Sequence, residues 1–429
     1  MSQEVIKGSS TPLIGEITPP GDKSISHRAV IIGSLAKGMI HVKGFLSSDD
    51  TLSSANAMRM LGVPIKIQDG NVEIRGKGLF GLSEPEDFID AGNSGTTARL
   101  LTGLLSAQKF FTAMTGDKYL RARPMERVVK PLTIMGGKIW GRDEGKRLPL
   151  AIQGTKLSAI KYQSPVASAQ VKSAILLAGL YAEGETEVVE PTPTRDHTER
   201  MLSYLGVHIR RNGTGVRIKN AAKFEGAEIL VPADISSAAF FIVAALINPG
   251  SEIWIKNVGI NPHRTGVIEI LKEMGGNIEI LNERESGGEP VGDILVRSSA
   301  LRSVQIKGDM IPRTIDELPV ISVGACFAEG ETVIKDAKEL RVKETDRIRA
   351  MTTELRKLGA QVEELDDGMI ILGKENLRGA MCSSWGDHRI AMAVAVAGSR
   401  ADGITEIEDT ECVSVSFPGF FDAMRRLRG

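Results

Sequence analysis

The sequence predicts an α/β protein of two domains, each made of three repeats of helix, strand, helix, strand, strand. Three observations predict it. Six polar stretches each lead an apolar, small-residue run of helical length, and they recur roughly every 70 residues, a longer period than ordinary solenoids use. Five amphipathic segments end in an apolar residue followed by glycine: Leu61-Gly62, Met135-Gly136, Leu205-Gly206, Met274-Gly275 and Leu358-Gly359. The chain has 429 residues, more than one hydrophobic core usually serves.

The leading stretches are Pro20–Arg28, Asn93–Arg99, Ser168–Lys172, Asp234–Ala238, Asp316–Pro319 and Asp387–Ile390. Each reads as the opening of a buried helix, because a helix that is apolar on every side belongs inside. The second helix of a repeat is amphipathic, and the glycine behind it supplies a left-handed C-terminal cap. Alternating strands follow, as in Val63 to Ile67 and Val207 to Arg210, and Asp69-Gly70, Asn212-Gly213 and Asp367-Gly368 read as hairpin turns. Six repeats then make two domains, divided near Gly226 to Pro232, just before the fourth leading helix. The strand from Leu13 to Thr18 precedes the first repeat and ends in Pro19-Pro20, so it is expected to pair into the second domain. The expected N-terminal domain is residues 21–232, and the expected C-terminal domain is residues 1–20 with 233–429.

Composition removes several function classes. The net charge is −1 and aromatic residues make up 4%, which leaves no basic face or stacking platform for nucleic acid. Met1 to Gly15 holds no continuous apolar core for a secretory signal, and apolar runs such as Ala238 to Ile247 fall short of the roughly 20 residues of a membrane span. A cytoplasmic protein is expected. Cys326, Cys382 and Cys412 form no Cys-x-x-Cys pair and the histidines are scattered, so reduced structural thiols and no metal are expected. Gly76 to Gly81 matches a dinucleotide fingerprint in form, but Leu82 to Asp87 cannot open the apolar helix that motif needs.

The chemistry sits at the helix starts. Lys23, Arg28, Arg99, Arg123, Arg195, Lys343, Arg347 and Arg389 gather there, which points to substrates carrying phosphate or carboxylate groups. Taken singly, Arg99 reads as a surface charge. Glu344 and Arg347 are three apart and Lys343 and Arg347 four apart, so on a helix they share a face; a salt-bridged, solvated helix is the plain alternative. Asp316 has a plain reading too, as the N-cap of its own helix.

Gly21–Arg28, Gly92–Thr97, Arg123-Pro124-Met125, Ser168–Lys172, Lys343–Arg347 and Asp387-His388-Arg389 together resemble the 5-enolpyruvylshikimate-3-phosphate synthase family of enolpyruvyl transferases, in order along nearly the whole chain. The resemblance implies an inside-out α/β barrel in each of two domains that close over substrates held between them. It implies transfer of the enolpyruvyl group of phosphoenolpyruvate to the 5-hydroxyl of shikimate 3-phosphate (3-phosphoshikimate 1-carboxyvinyltransferase activity), in the route to chorismate and aromatic amino acids. No cofactor is implied, and a monomer is expected. Carried over by motif, Lys23, Gly95, Arg123, Gln170, Arg347 and Arg389 match the phosphoenolpyruvate site. Lys23, Ser24, Arg28, Ser168, Ala169, Gln170, Arg195, Asp316 and Lys343 match the shikimate 3-phosphate site. Asp316 resembles the acid/base at the 5-hydroxyl, Glu344 the proton donor to the methylene carbon, and Lys23 shares the catalytic work. Two positions depart from the pattern of some members: Ala169 stands where a second serine occurs, and Asp409–Cys412 lacks a lysine. The same distribution suggests that each half is a cluster of mostly like charge which closes when an anion enters. The rivals are the sister enzyme acting on UDP-N-acetylglucosamine, whose loop cysteine is missing before Ala122-Arg123-Pro124, and a non-catalytic anion-binding protein.

Overall fold

The structure is a computed structural model that describes residues 2–220, 224–373 and 376–428. It divides into an N-terminal unit, Gly21–Val231 with Glu285–Glu289, and a C-terminal unit, Met1–Pro20 with Pro232–Arg284 and Pro290–Gly429. The chain opens with β1 (Gln3–Lys7) and β2 (Ile14–Ile17), both in the C-terminal unit.

The first repeat of the N-terminal unit runs α1 (Lys23–Gly33), β3 (Lys37–Lys43), α2 (Asp49–Met60) and the hairpin β4 (Ile65–Gln68) to β5 (Asn71–Lys77). The second runs β6 (Ile89–Asp90), α3 (Gly95–Leu105), β7 (Phe111–Thr115), α4 (Glu126–Ile134), β8 (Lys138–Arg142) and β9 (Arg147–Gln153). The third runs β10 (Lys161–Gln163), α5 (Ala169–Gly179), β11 (Glu185–Val189), α6 (His197–Tyr204), β12 (Ile209–Asn212) and β13 (Gly215–Lys219). β14 (Glu228–Leu230) then returns to pair in parallel with β3, so the end of the unit joins the sheet of its beginning.

Local chemistry explains where the leading helices start. Ile25 N donates to Asp22 Oδ1 at 2.8 Å and Thr97 N to Ser94 Oγ at 3.1 Å, satisfying N–H groups that a helix leaves open. Every residue of α1 from Ile25 to Gly33 is buried. α3 packs on α5 and on α1; a Cβ at Gly103 would stand 2.1 Å from Ala174 O of α5, so glycine sets the closeness of that pair. The second helices end as their sequence requires, with Gly62, Gly136 and Gly206 at φ +85°, +99° and +91°.

The C-terminal unit repeats the plan with α7 (Ile235–Ile247), β15 (Glu252–Gly259), α8 (Gly266–Glu273), β16 (Asn277–Ser286) and β17 (Glu289–Arg297). Its next repeat is β18 (Gln305–Ile306), α9 (Met310–Thr314), α10 (Leu318–Cys326), β19 (Glu331–Ile334), α11 (Arg347–Lys357), β20 (Gln361–Leu365) and β21 (Gly368–Leu372). The last is β22 (Met381–Ser383), α12 (His388–Arg400), β23 (Ile404–Glu408), a 3-10 turn at Thr410–Val415 and α13 (Phe420–Arg426). α7, α10 and α12 pack on one another, and all thirteen residues of α7 are buried. Each buried large aliphatic or phenylalanine side chain there stabilises the unit by about 1.5–3 kcal/mol. Each unit has its own apolar core.

The structure departs from the sequence reading in four ways. The sixth repeat has no hairpin: β1 pairs antiparallel with β23 in that place, while β2 pairs in parallel with β15. A strand of two or three residues, too short to carry a period, precedes most leading helices, as β6, β10, β18 and β22 do. Two hairpin turns are displaced by one residue, to Gly213-Thr214 and Asp366-Asp367. Gly368 belongs to β21, where a Cβ would lie 1.9 Å from Ile334 O. The tip of the β16–β17 hairpin, Glu285–Glu289, groups with the N-terminal unit.

Candidate active site

In the N-terminal unit the starts of α1, α3 and α5 carry most of the predicted residues, with Arg123 just ahead of α4 and Arg195 just ahead of α6. Lys23 opens α1 half-buried, its Nζ 2.7 Å from Asp50 Oδ2 on α2. One turn on, Arg28 is 3% exposed. Its Nε donates to Thr198 Oγ1 at 2.7 Å, NH1 to Ser24 O at 2.9 Å and NH2 to Ser173 Oγ at 2.8 Å. All three partners are neutral, and burial brings the guanidinium down to about 10, aided by Arg195 and opposed by Glu199, Asp22 and Glu289. A buried cation without a hydrogen-bonded carboxylate is one that an arriving anion stabilises.

Lys172 is the contrast. It is also 3% exposed, but its Nζ lies 2.8 Å from Glu190 Oε2 and 2.9 Å from Glu199 Oε1. Burial opposes its charge, yet the two carboxylates outweigh that and raise its affinity for the proton. Lys172 is neutralised by two carboxylates, whereas every group that accepts a hydrogen bond from Arg28 is neutral.

A second group surrounds Gly95. Arg123 NH2 donates to Asn93 Oδ1 at 2.6 Å, and Gln170 Nε2 donates to Thr96 Oγ1 at 3.0 Å. Arg99, read from sequence as a surface charge, is 8% exposed and donates to Gln170 Oε1 and to Pro124 O. The correction has a clear cause: one turn beyond Gly95, a long side chain lies back over the helix start instead of outward. Ser168 caps α5, accepting from Val171 N at 3.5 Å, with Ala169 and Gln170 following half-buried. Beneath these groups a buried chain of hydrogen bonds runs from His27 Nδ1 to Ser54 Oγ at 2.8 Å, on to Thr97 Oγ1 at 2.7 Å and to Ser94 Oγ at 2.8 Å. It ties α1, α2 and α3 together.

In the C-terminal unit four predicted residues and Asp387 gather around a fifth predicted residue, Arg347, the first residue of α11 and 1% exposed. Its Nε donates to Asp387 Oδ2 at 2.8 Å and NH2 to Glu344 Oε2 at 2.6 Å, and NH1 reaches Asp316 Oδ1 at 3.4 Å. Lys343 Nζ stands 3.8 Å from Asp316 Oδ1, and Arg389 NH1 donates to Asp316 O at 2.9 Å. Burial opposes the Arg347 charge, but Asp387, Glu344 and Asp316 outweigh it and raise its hold on the proton. Lys343 is shifted down, chiefly by burial and partly by Arg347, against the pull of Asp316. Three cations face three carboxylates here, so the expected excess of like charge is absent from this unit. Asp316 is not an N-cap; Glu317 holds that position in α10.

Arg264, at the start of α8, is the counterpart of Arg347 one repeat earlier. It bridges Asp234 at 3.2 Å and Glu317 at 3.6 Å, as Arg347 bridges Asp316 and Asp387. The Arg264 knot also includes Ser236, which bonds to Glu317, and is almost wholly buried. Only the Arg347 knot adds half-buried Glu344, Lys343 and Arg389. Sequence reasoning left Asp387, Asp50 and Arg99 out of the site. Asp387 and Asp50 had a signal, as carboxylates at or beside helix starts, but which arginine or lysine each would hold is a matter of tertiary packing.

Six α/β repeats whose helix starts gather arginines and lysines, with half-buried carboxylates beside the buried guanidinium of Arg347, have the make-up of an enzyme class suited to small anionic substrates with proton-transfer groups next to them. The model of EPSP synthase (3-phosphoshikimate 1-carboxyvinyltransferase) matches residues 8–424, and the chain belongs to that family. A 3-phosphoshikimate 1-carboxyvinyltransferase of Geotalea daltonii is 58% identical over 406 residues, 95% of each chain. One of Geobacter sulfurreducens is 56% identical over 408 residues, again 95% of each. The solved EPSP synthase of Acinetobacter baumannii superposes with a TM-score of 0.90 at 46% identity, covering 99% of this chain and 98% of that one.

Proposed function

We infer that the chain transfers the enolpyruvyl group of phosphoenolpyruvate to the 5-hydroxyl of shikimate 3-phosphate and releases phosphate, the activity for which its relatives are named. The hydroxyl oxygen bonds to C2 of phosphoenolpyruvate while C3 gains a proton and the hydroxyl loses one. The adduct then expels inorganic phosphate from C2 and a proton from C3, restoring the double bond. Two proton-transfer groups and several anion-binding groups are needed.

The observation that carries the reading is the neighbourhood of Arg347. Asp316 and Glu344 both lie within 3.4 Å of a guanidinium that is 1% exposed, an arrangement a mere anion-binding protein does not need. Asp316 takes the hydroxyl proton, and Glu344 supplies and recovers the proton at C3. An anion arriving at Arg347 counters the guanidinium charge, and a carboxyl group beside an added anion takes up a proton more readily. Ser24, Arg28, Ser168, Ala169 through its backbone, Gln170, Arg195, Asp316 and Lys343 hold shikimate 3-phosphate. Gly95, Arg123, Gln170, Arg347 and Arg389 hold phosphoenolpyruvate, and Lys23 meets the phosphate that leaves.

Phosphate release from phosphoenolpyruvate tests the reading. Release is expected only when shikimate 3-phosphate is present, in equal amount with an enolpyruvyl ether seen by mass spectrometry. Release without it, or with UDP-N-acetylglucosamine in its place, would overturn the assignment.

A further inference from the structure

Gln170 carries an amide, and an amide shows an anion either a donor or an acceptor depending on which way it is turned. We infer that Arg99 is the positioning residue that fixes Gln170 as a donor toward phosphoenolpyruvate; this rests on reading Gln170 as a substrate-binding residue. Arg99 NH1 donates to Gln170 Oε1, and a guanidinium has no acceptor with which to tolerate the opposite orientation. Gln170 Nε2 is thereby turned the other way, donating to Thr96 Oγ1 at 3.0 Å with one N–H, and its second N–H is left for an anion. Were the amide flipped, its oxygen would face the substrate's negative charge, with repulsion in place of a hydrogen bond.

The same guanidinium also reaches the neighbouring loop. NH2 donates at 3.1 Å to the carbonyl of Pro124, the residue after Arg123, so the guanidinium is itself anchored while it holds Gln170. Space for it comes from Gly95, where a Cβ would lie 2.8 Å from Arg99 NH1.

A double-mutant cycle of Arg99→Ala and Gln170→Ala, read in steady-state kinetics, tests this. Arg99→Ala is expected to raise KM for phosphoenolpyruvate by about tenfold to a hundredfold, the scale of a lost charge-assisted hydrogen bond. Arg99→Lys, which keeps a charge but lacks the planar fork that reaches Gln170 and Pro124 at once, should recover part of the loss. In the double variant, KM should stay within about threefold of Gln170→Ala alone. Losses that multiply in the double variant, with Gln170→Ala itself impaired, would overturn the role of Arg99 while leaving Gln170 as a binder. A Gln170→Ala variant with both substrates' KM unchanged would instead overturn the reading of Gln170, and this inference with it. If Arg99→Ala does not fold, the cycle is run with Arg99→Lys and judged by the same criterion.

Discussion

Lowering the pH should weaken the N-terminal unit through one buried histidine. His27 is 0% exposed and its imidazole is pushed down to about 3, first by burial and then by Lys23 and Arg28, with Asp50 opposing. The unfolded chain takes up this proton near 6.5, so between 6.5 and 3 it holds a proton that the native state refuses. Stability from this group is therefore full above pH 6.5 and is lost progressively as pH falls toward 3. A displacement of this size corresponds to at most about 5 kcal/mol in total, and to about 2 kcal/mol at pH 5. His27→Asn replaces the ring with an amide that can still bond to Ser54 but does not titrate. Urea unfolding of both proteins from pH 7.5 to 4.5 isolates the histidine, because every other titrating group is shared. The wild type should lose more stability than the variant, by the amount above at pH 5, and its His27 resonances should stay those of a neutral ring. Parallel stability curves, or a native imidazole that titrates near 6.5, would refute the reasoning.

Gly95→Ala places a methyl 2.8 Å from Arg99 NH1 and 3.5 Å from Arg123 NH1. An overpacking cost of about 1–3 kcal/mol should appear as a higher KM for phosphoenolpyruvate with little change for shikimate 3-phosphate; equal rises would make Gly95 a fold position. Asp387→Ala leaves Arg347, 1% exposed, without the carboxylate that accepts from its Nε at 2.8 Å and from its NH2 at 3.3 Å, so chemical denaturation should show a loss of about 3–5 kcal/mol. A loss below about 1 kcal/mol, the range of surface ion pairs, would count against a buried pair. Burial pushes the thiols of Cys326 and Cys382 up to about 12 and that of Cys412 up to about 11. Iodoacetamide at pH 8 should therefore spare turnover in the native protein, and stoichiometric inactivation at one cysteine would contradict this.

Much of the fold was legible because it is local. Asp22 and Ser94 cap the helices they precede, and the glycines after the second helices take the left-handed conformation the sequence requires of them. Repetition did the rest, since six weak helix starts at one spacing are a stronger signal than any one of them. What stayed hidden depends on contacts distant in sequence. Arg99 is indistinguishable from a solvated arginine until Gln170, 71 residues away, closes over it. The charge balance around Arg347 could not be read either: Glu344 is near in sequence, but Asp316 lies 31 residues back in the same repeat and Asp387 arrives from the next one, 40 residues on. The strands of two or three residues before the leading helices exist because a neighbouring strand offers an edge, and no periodicity develops over so short a length.

The pairing of β1 with β23 has a consequence for the order in which the chain acquires structure. β1 and β2 are synthesised well before their partners, residues 404–408 and 252–255. Almost all of the N-terminal unit, Gly21–Val231, is contiguous and has its own core, so it is able to fold while synthesis continues. β2 must wait as an unpaired edge until residues 252–255 have been made, and β1 until residues 404–408 have been made. A nascent chain whose first 240 residues have emerged from the ribosome should already resist protease across the N-terminal unit while remaining cleavable before Gly21, and protection should reach β2 only once residues 252–255 have emerged and β1 only once residues 404–408 have.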